Sequence, residues 1–249
     1  MSEQIYRLHY RGQLRENVST EAVKQAADLC VENIRRAQAQ GKVLTAALYY
    51  SERMLFFYYE AIGEPLPVAE YWGMKEGMLP ESGEDVQLTC LHPEELLVPL
   101  APFLQAWPGQ VDDRLWVYMY HIYCHSVPES VEEWKRPMKP ELRRGRIAFL
   151  RWDKVINYAF YHKAIVDEGL LLGDKYHSIA LHENVLFSYF EEPKTLTNIQ
   201  KDFTRESEVI NEWVAEKPRW HFIHQEAGEG LDFMFLPALF AVGLEDCYE

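Results

Sequence analysis

Apolar and polar residues alternate along residues 5–10, which predicts a β-strand because successive side chains of a strand point to opposite faces of a sheet. Helix signals follow: Ser19 or Thr20 can act as the N-cap, and apolar residues then recur at helical spacing. Residues 43–50 and 54–62 are rich in β-forming side chains and are separated by a short polar break, which is the pattern of a hairpin. The chain therefore opens with the order β-α-β-β.

Two further elements complete the first half of the chain. Residues 63–90 are rich in Gly, Pro and Glu and predict an irregular insertion. Helical character returns over residues 93–105, and residues 115–123 predict a strong strand. Residues 1–125 thus predict a complete β-α-β-β-α-β unit, which is the ferredoxin-like arrangement.

The same order of elements restarts in the second half. Residues 126–144 carry three prolines and dense charge, which is typical of a linker. Residues 145–249 then predict a second β-α-β-β-α-β unit. Its strands are predicted at residues 147–152, 176–182, 185–191 and 231–236, and its helices at residues 155–171 and 198–216.

A short motif recurs in the second hairpin strand of each half. It consists of Leu55, Phe56, Tyr58 and Glu60 in the first half, and of Leu186, Phe187, Tyr189 and Glu191 in the second. Because each copy follows a hairpin break at the same point in the element order, the match indicates an internal duplication. Each half would form a four-stranded sheet covered by helices on one face. The two uncovered apolar faces are expected to pack together, since naked sheet faces favour aggregation.

Composition excludes several classes of partner. The chain has 25 basic and 39 acidic residues, a formal charge of −14, which would repel nucleic acid and anionic membrane surfaces. No stretch approaches the roughly 20 continuous apolar residues of a membrane span, and the first residues lack the layout of a signal peptide. A cytoplasmic location is the resulting expectation. The four cysteines form no CxxC pair, so we expect reduced thiols and no metal site.

The second half resembles the L-rhamnose mutarotase family over roughly residues 144–237. The strand IAFLRW followed by a helix bearing YAFYH matches the family's Tyr-x-x-x-His, and SIALHENVLFSYFE is similar to its hairpin. INEWVAEKPRW stands where the family has a Trp pair, and LDFMFLP resembles its terminal strand. The resemblance implies an α+β fold in which tandem ferredoxin-like repeats pack as a dimeric α/β-barrel-like pseudo-dimer. It also implies an isomerase that acts on the anomeric centre of a monosaccharide.

Anomer exchange needs one proton delivered and one removed, without a metal or an organic cofactor. Tyr158 and His162 share one helix face, and imidazole titrates near neutral pH. By resemblance these two residues would be catalytic, and Trp213 and Trp220 would stack on the sugar, with His182 as a further substrate-binding residue. The alternative for His162 is a surface or hydrogen-bonded helix histidine, and for Tyr158 a core aromatic.

Two other functions stay open at this point. A non-catalytic binding or interaction protein of the same fold would explain why the first helix, VKQAADLCVENI, has neither Tyr nor His at the matching place. A chlorite dismutase-like haem protein also has tandem ferredoxin-like halves and uses a histidine as the axial ligand. The chain could close its own pseudo-dimer as a monomer or form a homodimer.

Overall fold

The structure, a computed structural model, describes residues 3–64, 90–108, 114–169, 171–194, 200–201, 206–225 and 232–247. Within them the helices are α1 (Thr20–Ala39), α2 (Pro93–Leu96), α3 (Val131–Trp134), α4 (Val155–Glu168) and α5 (Glu208–Ala215). The strands are β1 (Gln4–Gln13), β2 (Val43–Ser51), β3 (Met54–Gly63), β4 (Trp116–Tyr118), β5 (Tyr120–Cys124), β6 (Leu142–Leu150), β7 (Leu171–Leu172), β8 (Ser178–His182), β9 (Val185–Glu192), β10 (Gln200–Lys201), β11 (Phe222–Ile223), β12 (Met234–Leu236) and β13 (Ala238–Gly243). Short 3-10 turns lie at Val98–Phe103, Trp152–Lys154, Pro218–His221 and Leu244–Cys247.

The first sheet has the strand order β13-β2-β3-β1-β4, with antiparallel neighbours throughout. Helix α1 covers one of its faces, because Val23, Ala27, Cys30 and Ile34 recur every three or four residues and are all buried. The helix begins where the Ser19 hydroxyl accepts a hydrogen bond from the backbone N–H of Ala22.

The second sheet has the order β11-β6-β9-β8-β5, and β12 pairs with β6 beside β11. Helix α4 lies on one face of this sheet and packs against α5. It ends at Gly169, whose φ of 68° is a left-handed conformation that favours glycine. The small sheet β7–β10 stands apart from the two large ones.

The two large sheets exchange strands. The chain leaves the first sheet at β4, passes through Met119, and joins the edge of the second sheet as β5. In return it leaves the second sheet at β12, passes through Pro237, and joins the edge of the first sheet as β13. Each large sheet is therefore completed by an edge strand that comes directly after a strand of the other sheet in the sequence.

The repeated motif lies at the centre of the space between the sheets. The rings of Tyr58 and Tyr189 stack there with centroids 3.7 Å apart. The hydroxyl of Tyr58 donates to Glu60 at 2.7 Å, and that of Tyr189 donates to Glu191 at 2.7 Å. Both carboxylates bind the buried guanidinium of Arg136, which reaches in from the predicted linker. The two copies thus make matching contacts to one shared cation.

A second buried polar group lies nearby between the sheets. The two ring nitrogens of His9 lie 2.6 Å from Nε2 of His121 and 3.2 Å from the hydroxyl of Ser178. Burial lowers the pKa of His9 well below its usual range, and the neighbouring His121 and Arg7 lower it further. His9 is therefore a neutral, hydrogen-bonded core residue.

The α+β class and the hairpin of β2 and β3 confirm the sequence predictions. The predicted helix over residues 93–105 is wrong in part: it breaks into α2 and a 3-10 turn because Pro99 and Pro102 cannot donate backbone hydrogen bonds. The predicted strand over residues 115–123 is divided at Met119 by the strand exchange.

Most of the predicted insertion at residues 63–90 lies outside the described residues, as do residues 198–199 and 202–205 of the helix predicted at 198–216 and residue 231 of the last predicted strand. The helix prediction is wrong in part, because Gln200–Lys201 pair with β7 as strand β10 and α5 spans only Glu208–Ala215. Part of the predicted linker is ordered structure, since α3 and the first residues of β6 fall within residues 126–144. In the part of the chain that the structure describes, no helix is long and apolar enough to span a membrane.

Candidate functional site

The candidate site lies on the helix-covered face of the second sheet, near the junction of α4 and α5. The rings of Tyr158 and His162 stack with centroids 3.9 Å apart and an interplanar angle of 19°, because the two residues are one turn apart on α4. Trp213 of α5 stands edge-on to both rings, at 5.5 Å from Tyr158 and 5.2 Å from His162. The structure thus brings together three of the predicted site residues.

The tautomer of His162 follows from its hydrogen bond. Its Nδ1 lies 3.0 Å from the backbone carbonyl oxygen of Tyr158, and since a carbonyl only accepts, Nδ1 carries the proton and Nε2 presents a lone pair. Burial lowers the pKa of His162 to about 4, although this hydrogen bond opposes the shift. Burial also raises the pKa of Tyr158 well above its usual range. At neutral pH a neutral imidazole therefore faces a protonated phenol.

A guanidinium lies on the same face of the sheet. Arg146 of β6 donates from Nε to the hydroxyl of Ser188 at 3.3 Å, and its Nη2 lies 3.5 Å from Nε2 of His177. Its guanidinium carbon lies 4.5 Å from the ring centroid of Phe233 and 5.1 Å from that of Phe190. Burial lowers the pKa of Arg146, whereas the phenol of Tyr158 raises it. Arg146 and Tyr158 therefore act on one another at the interface between α4 and the second sheet.

His177 and Tyr123 lie at the same interface between α4 and the second sheet. The Nε2 of His177 lies 3.1 Å from the hydroxyl of Ser188, and burial followed by the charge of Arg146 lowers the pKa of His177 well below its usual range. The ring of Tyr123 lies 5.3 Å from that of His177 and 6.5 Å from that of His162. Neutral imidazoles and aromatic rings thus surround the guanidinium of Arg146 at this interface.

The other two predicted residues lie elsewhere. His182, at the end of β8, contacts Arg11 at 3.4 Å and the ring of Trp107 at 5.4 Å. Trp220 is 63% exposed, and its described cation–π partner is the ammonium of Lys217 at 4.6 Å. Neither residue has a described ring contact or hydrogen bond with Tyr158, His162 or Trp213. The five-residue sugar site implied by the resemblance is therefore not assembled.

Sequence reasoning missed Arg146, His177 and Ser188 as site residues. The signal for Arg146 was present: it is a charged residue on the helix-facing side of a strand whose next positions on that side, Ala148 and Leu150, are buried and apolar. His177 falls within the strand predicted at residues 176–182, where nothing in the pattern indicates its partners. In the described residues, no group of three or more His, Cys, Asp or Glu side chains could hold a metal ion.

Comparison with known proteins gives no family for this chain. No protein-family model and no curated protein match it. Among solved structures it is similar to a putative monooxygenase from Lactobacillus acidophilus NCFM, with 7% identity, a TM-score of 0.41 and 96% of each chain covered. It is also similar to a putative monooxygenase from Fusobacterium nucleatum, with 10% identity, a TM-score of 0.37, and 97% of this chain and 95% of that chain covered.

The prediction of a sugar mutarotase is wrong. The two similar structures are described as putative monooxygenases, a reaction class different from anomer exchange of a monosaccharide. The geometry gives a physical reason for the correction: Tyr158 and His162 stack face to face and cannot flank a sugar ring, and Trp220 lies apart from them. The assignments to isomerases and to carbohydrate metabolism fall with it.

Proposed function

We propose that the chain consists of tandem ferredoxin-like repeats, residues 1–125 and 145–249, packed as an internal pseudo-dimer. Two observations support this. The strands β4-β1-β3-β2 of the first sheet and β11-β6-β9-β8 of the second have the same order when counted within each half. The Tyr-x-Glu pairs of the two halves also make equivalent hydrogen bonds. A chain built in this way works as a monomer, since each half supplies the other's partner.

We propose further that the second half binds a small planar molecule in a cleft between α4 and the second sheet and removes a proton from it. The observation that supports this best is the fixed tautomer of His162, whose Nε2 lone pair has no hydrogen-bond partner among the described residues. A neutral imidazole in an aromatic wall is suited to accept a proton from a weakly acidic C–H or O–H group. Tyr158 and Trp213 would hold the planar body of the ligand.

The first half provides no second copy of this site. Its helix α1 has Ala27 and Val31 on the buried and half-buried sheet-facing side, and no Tyr or His falls within the helix. The face of the first sheet under α1 is filled by a continuous apolar cluster that includes Tyr6, Leu8 and Phe57. We therefore assign one site to each chain.

The test is proton exchange. Enolisable aryl ketones and aryl 1,3-diketones are incubated with the protein in D₂O, and loss of the acidic C–H signal is followed by ¹H NMR. We expect exchange faster than in buffer, with a loss on the order of 100-fold in the His162→Gln variant, the usual size of a general-base contribution. An oxygen electrode on the same samples reports whether the deprotonated ligand is consumed by dioxygen.

The control is His92→Gln, because His92 is an exposed histidine that precedes α2 in the first half, in a different part of the chain from the stacked rings. It should exchange at the rate of the unmodified protein. The proposal fails if no compound exchanges faster than in buffer, or if His162→Gln retains the full rate.

A further inference from the structure

We propose that the ligand of this cleft is a carboxylate on a planar apolar body, held by Arg146 with the help of Lys194. This names the substrate class of the proposed site and so rests on the proposed function for its location. The inference is drawn from the surroundings of the two cations and from a comparison of the two halves of the chain.

Arg146 carries a charge that its described neighbours do not compensate. Its hydrogen-bonding neighbours, Ser188 and His177, are neutral, and in the described part of the chain no carboxylate forms an ion pair with it. Asp232, which acts on the nearby Tyr158, is itself paired with His224 and Arg219. An ionised group removed from water is costly unless an opposite charge binds it. A bound anion would supply that charge.

Lys194 adds a second positive charge to the same place. Its ammonium lies 3.9 Å from the ring centroid of Phe190, the ring that also contacts Arg146 at 5.1 Å. Burial lowers the pKa of Lys194, and the charge of Arg146 lowers it further, while Asp174 and Glu192 oppose the shift. Two cations on one aromatic ring repel each other, and an anion between them would relieve this repulsion.

The first half serves as an internal control. Tyr58 and Tyr189 occupy equivalent positions, so the preceding residues, Phe57 and Ser188, are equivalent as well. In the strand registers Tyr10 lies opposite Phe57, and Arg146 lies opposite Ser188. The first half therefore has an apolar pair where the second half has a guanidinium and a hydroxyl. Because the same sheet folds with an apolar pair at these positions, the fold alone does not require Arg146.

The geometry also indicates the shape of the ligand. Nε and Nη2 of Arg146 are already directed at Ser188 and His177, so Nη1 is the nitrogen left for a ligand oxygen. The rings of Phe190 and Phe233 both lie against the guanidinium, with centroids 5.1 and 4.5 Å from its carbon. A carboxylate that binds here would bring its attached body against these rings, which favours a planar, apolar group.

The probes are 2-naphthoate and its neutral isostere 2-naphthamide, with dissociation constants measured by titration calorimetry. We expect the carboxylate to bind at least tenfold more tightly than the amide. Arg146→Gln should remove this preference, and Lys194→Gln should reduce it. The control is Arg151→Gln, because Arg151 is an exposed arginine paired with Asp153, and it should leave both constants unchanged. Raising the salt concentration should weaken only the carboxylate.

The proposal is overturned if the amide binds as tightly as the carboxylate to the unmodified protein, a comparison that needs no variant to fold. It is also overturned if Arg146→Gln keeps the preference. These outcomes are separate from the exchange test. If proton exchange depends on His162 but the carboxylate binds no more tightly than the amide, the proposed function stands and the ligand is neutral. If the carboxylate is preferred but no compound exchanges its proton, the carboxylate site stands and the role of His162 as a base is wrong.

Discussion

The shared cation between the two sheets gives the sharpest test of the fold. Arg136 is 4% exposed, Glu60 is 0% exposed, and Glu191 is 8% exposed, so all three charges are withdrawn from water. Replacing Arg136 by Met keeps most of the volume but leaves two buried carboxylates without a counter-charge. Breaking a buried ion pair in this way costs about 3–5 kcal/mol. Since a folded domain is stable by about 5–15 kcal/mol, the variant should be close to unfolding.

The assay is urea unfolding followed by tryptophan fluorescence, with Arg151→Met as an exposed control that should change stability by less than about 1 kcal/mol. A triple variant, Arg136→Met with Glu60→Gln and Glu191→Gln, removes all three charges and should recover most of the loss. Amide oxygens can still accept the hydrogen bonds from Tyr58 and Tyr189.

The pH dependence of this variant is a second readout. Burial alone would raise the pKa of Glu60, but the charge and hydrogen bonds of Arg136 outweigh it and lower that pKa to about 2. In the unmodified protein this contribution is present above the unfolded pKa and is lost as the pH falls towards 2. Without Arg136 the carboxylate is easier to protonate, so the deficit should shrink at low pH. A loss below about 1 kcal/mol in Arg136→Met, or a triple variant no more stable than the single one, would refute this account.

Two further predictions concern stability. His9 and His177 are buried and have pKa values well below the usual value, so the unfolded chain binds more protons below about pH 6.5. Stability should fall from about pH 6.5 towards pH 4.5 with a slope of up to about 1.4 kcal/mol per pH unit for each histidine, measured by urea unfolding at each pH; a flat profile in this window would contradict it. Gly169 has φ of 68° with no atom within 4 Å of an added Cβ, so Gly169→Ala should cost about 1–2 kcal/mol from backbone strain alone. Gly41→Ala, at φ of 70°, should cost a similar amount in the same urea unfolding experiment, and no change at either position would exclude strain.

The order of elements could be predicted from the sequence because it depends on local patterns. Each local pattern indicates the element in which it occurs, as with the alternation in β1, the helical spacing in α1 and the polar break before β3. The repeated Tyr-x-Glu motif marked the centre of the molecule, although its pairing with Arg136 could not be predicted. That contact joins residues 76 positions apart, and no periodicity reports such a distance.

The candidate site was predictable only in part, for a similar reason. Tyr158 and His162 share one helix, so their spacing alone places them together. Trp213 joins them through the packing of α4 on α5, and Arg146 lies on a strand beneath them. Trp220 and His182 were predicted from the family resemblance and not from local geometry. They lie apart from the cluster of Tyr158, His162 and Trp213.

Strands β5 and β13 each complete the sheet of the other half, and this affects how the chain can be divided. A half cut out at the linker would carry a segment with no sheet to join and would also expose a bare strand edge, so two separately expressed halves should bind each other and not fold alone. In the proposed pseudo-dimer, the two halves are free of the symmetry that two identical subunits would impose. One half can then serve only to support the fold while the other binds a ligand. Two identical subunits cannot differ in this way.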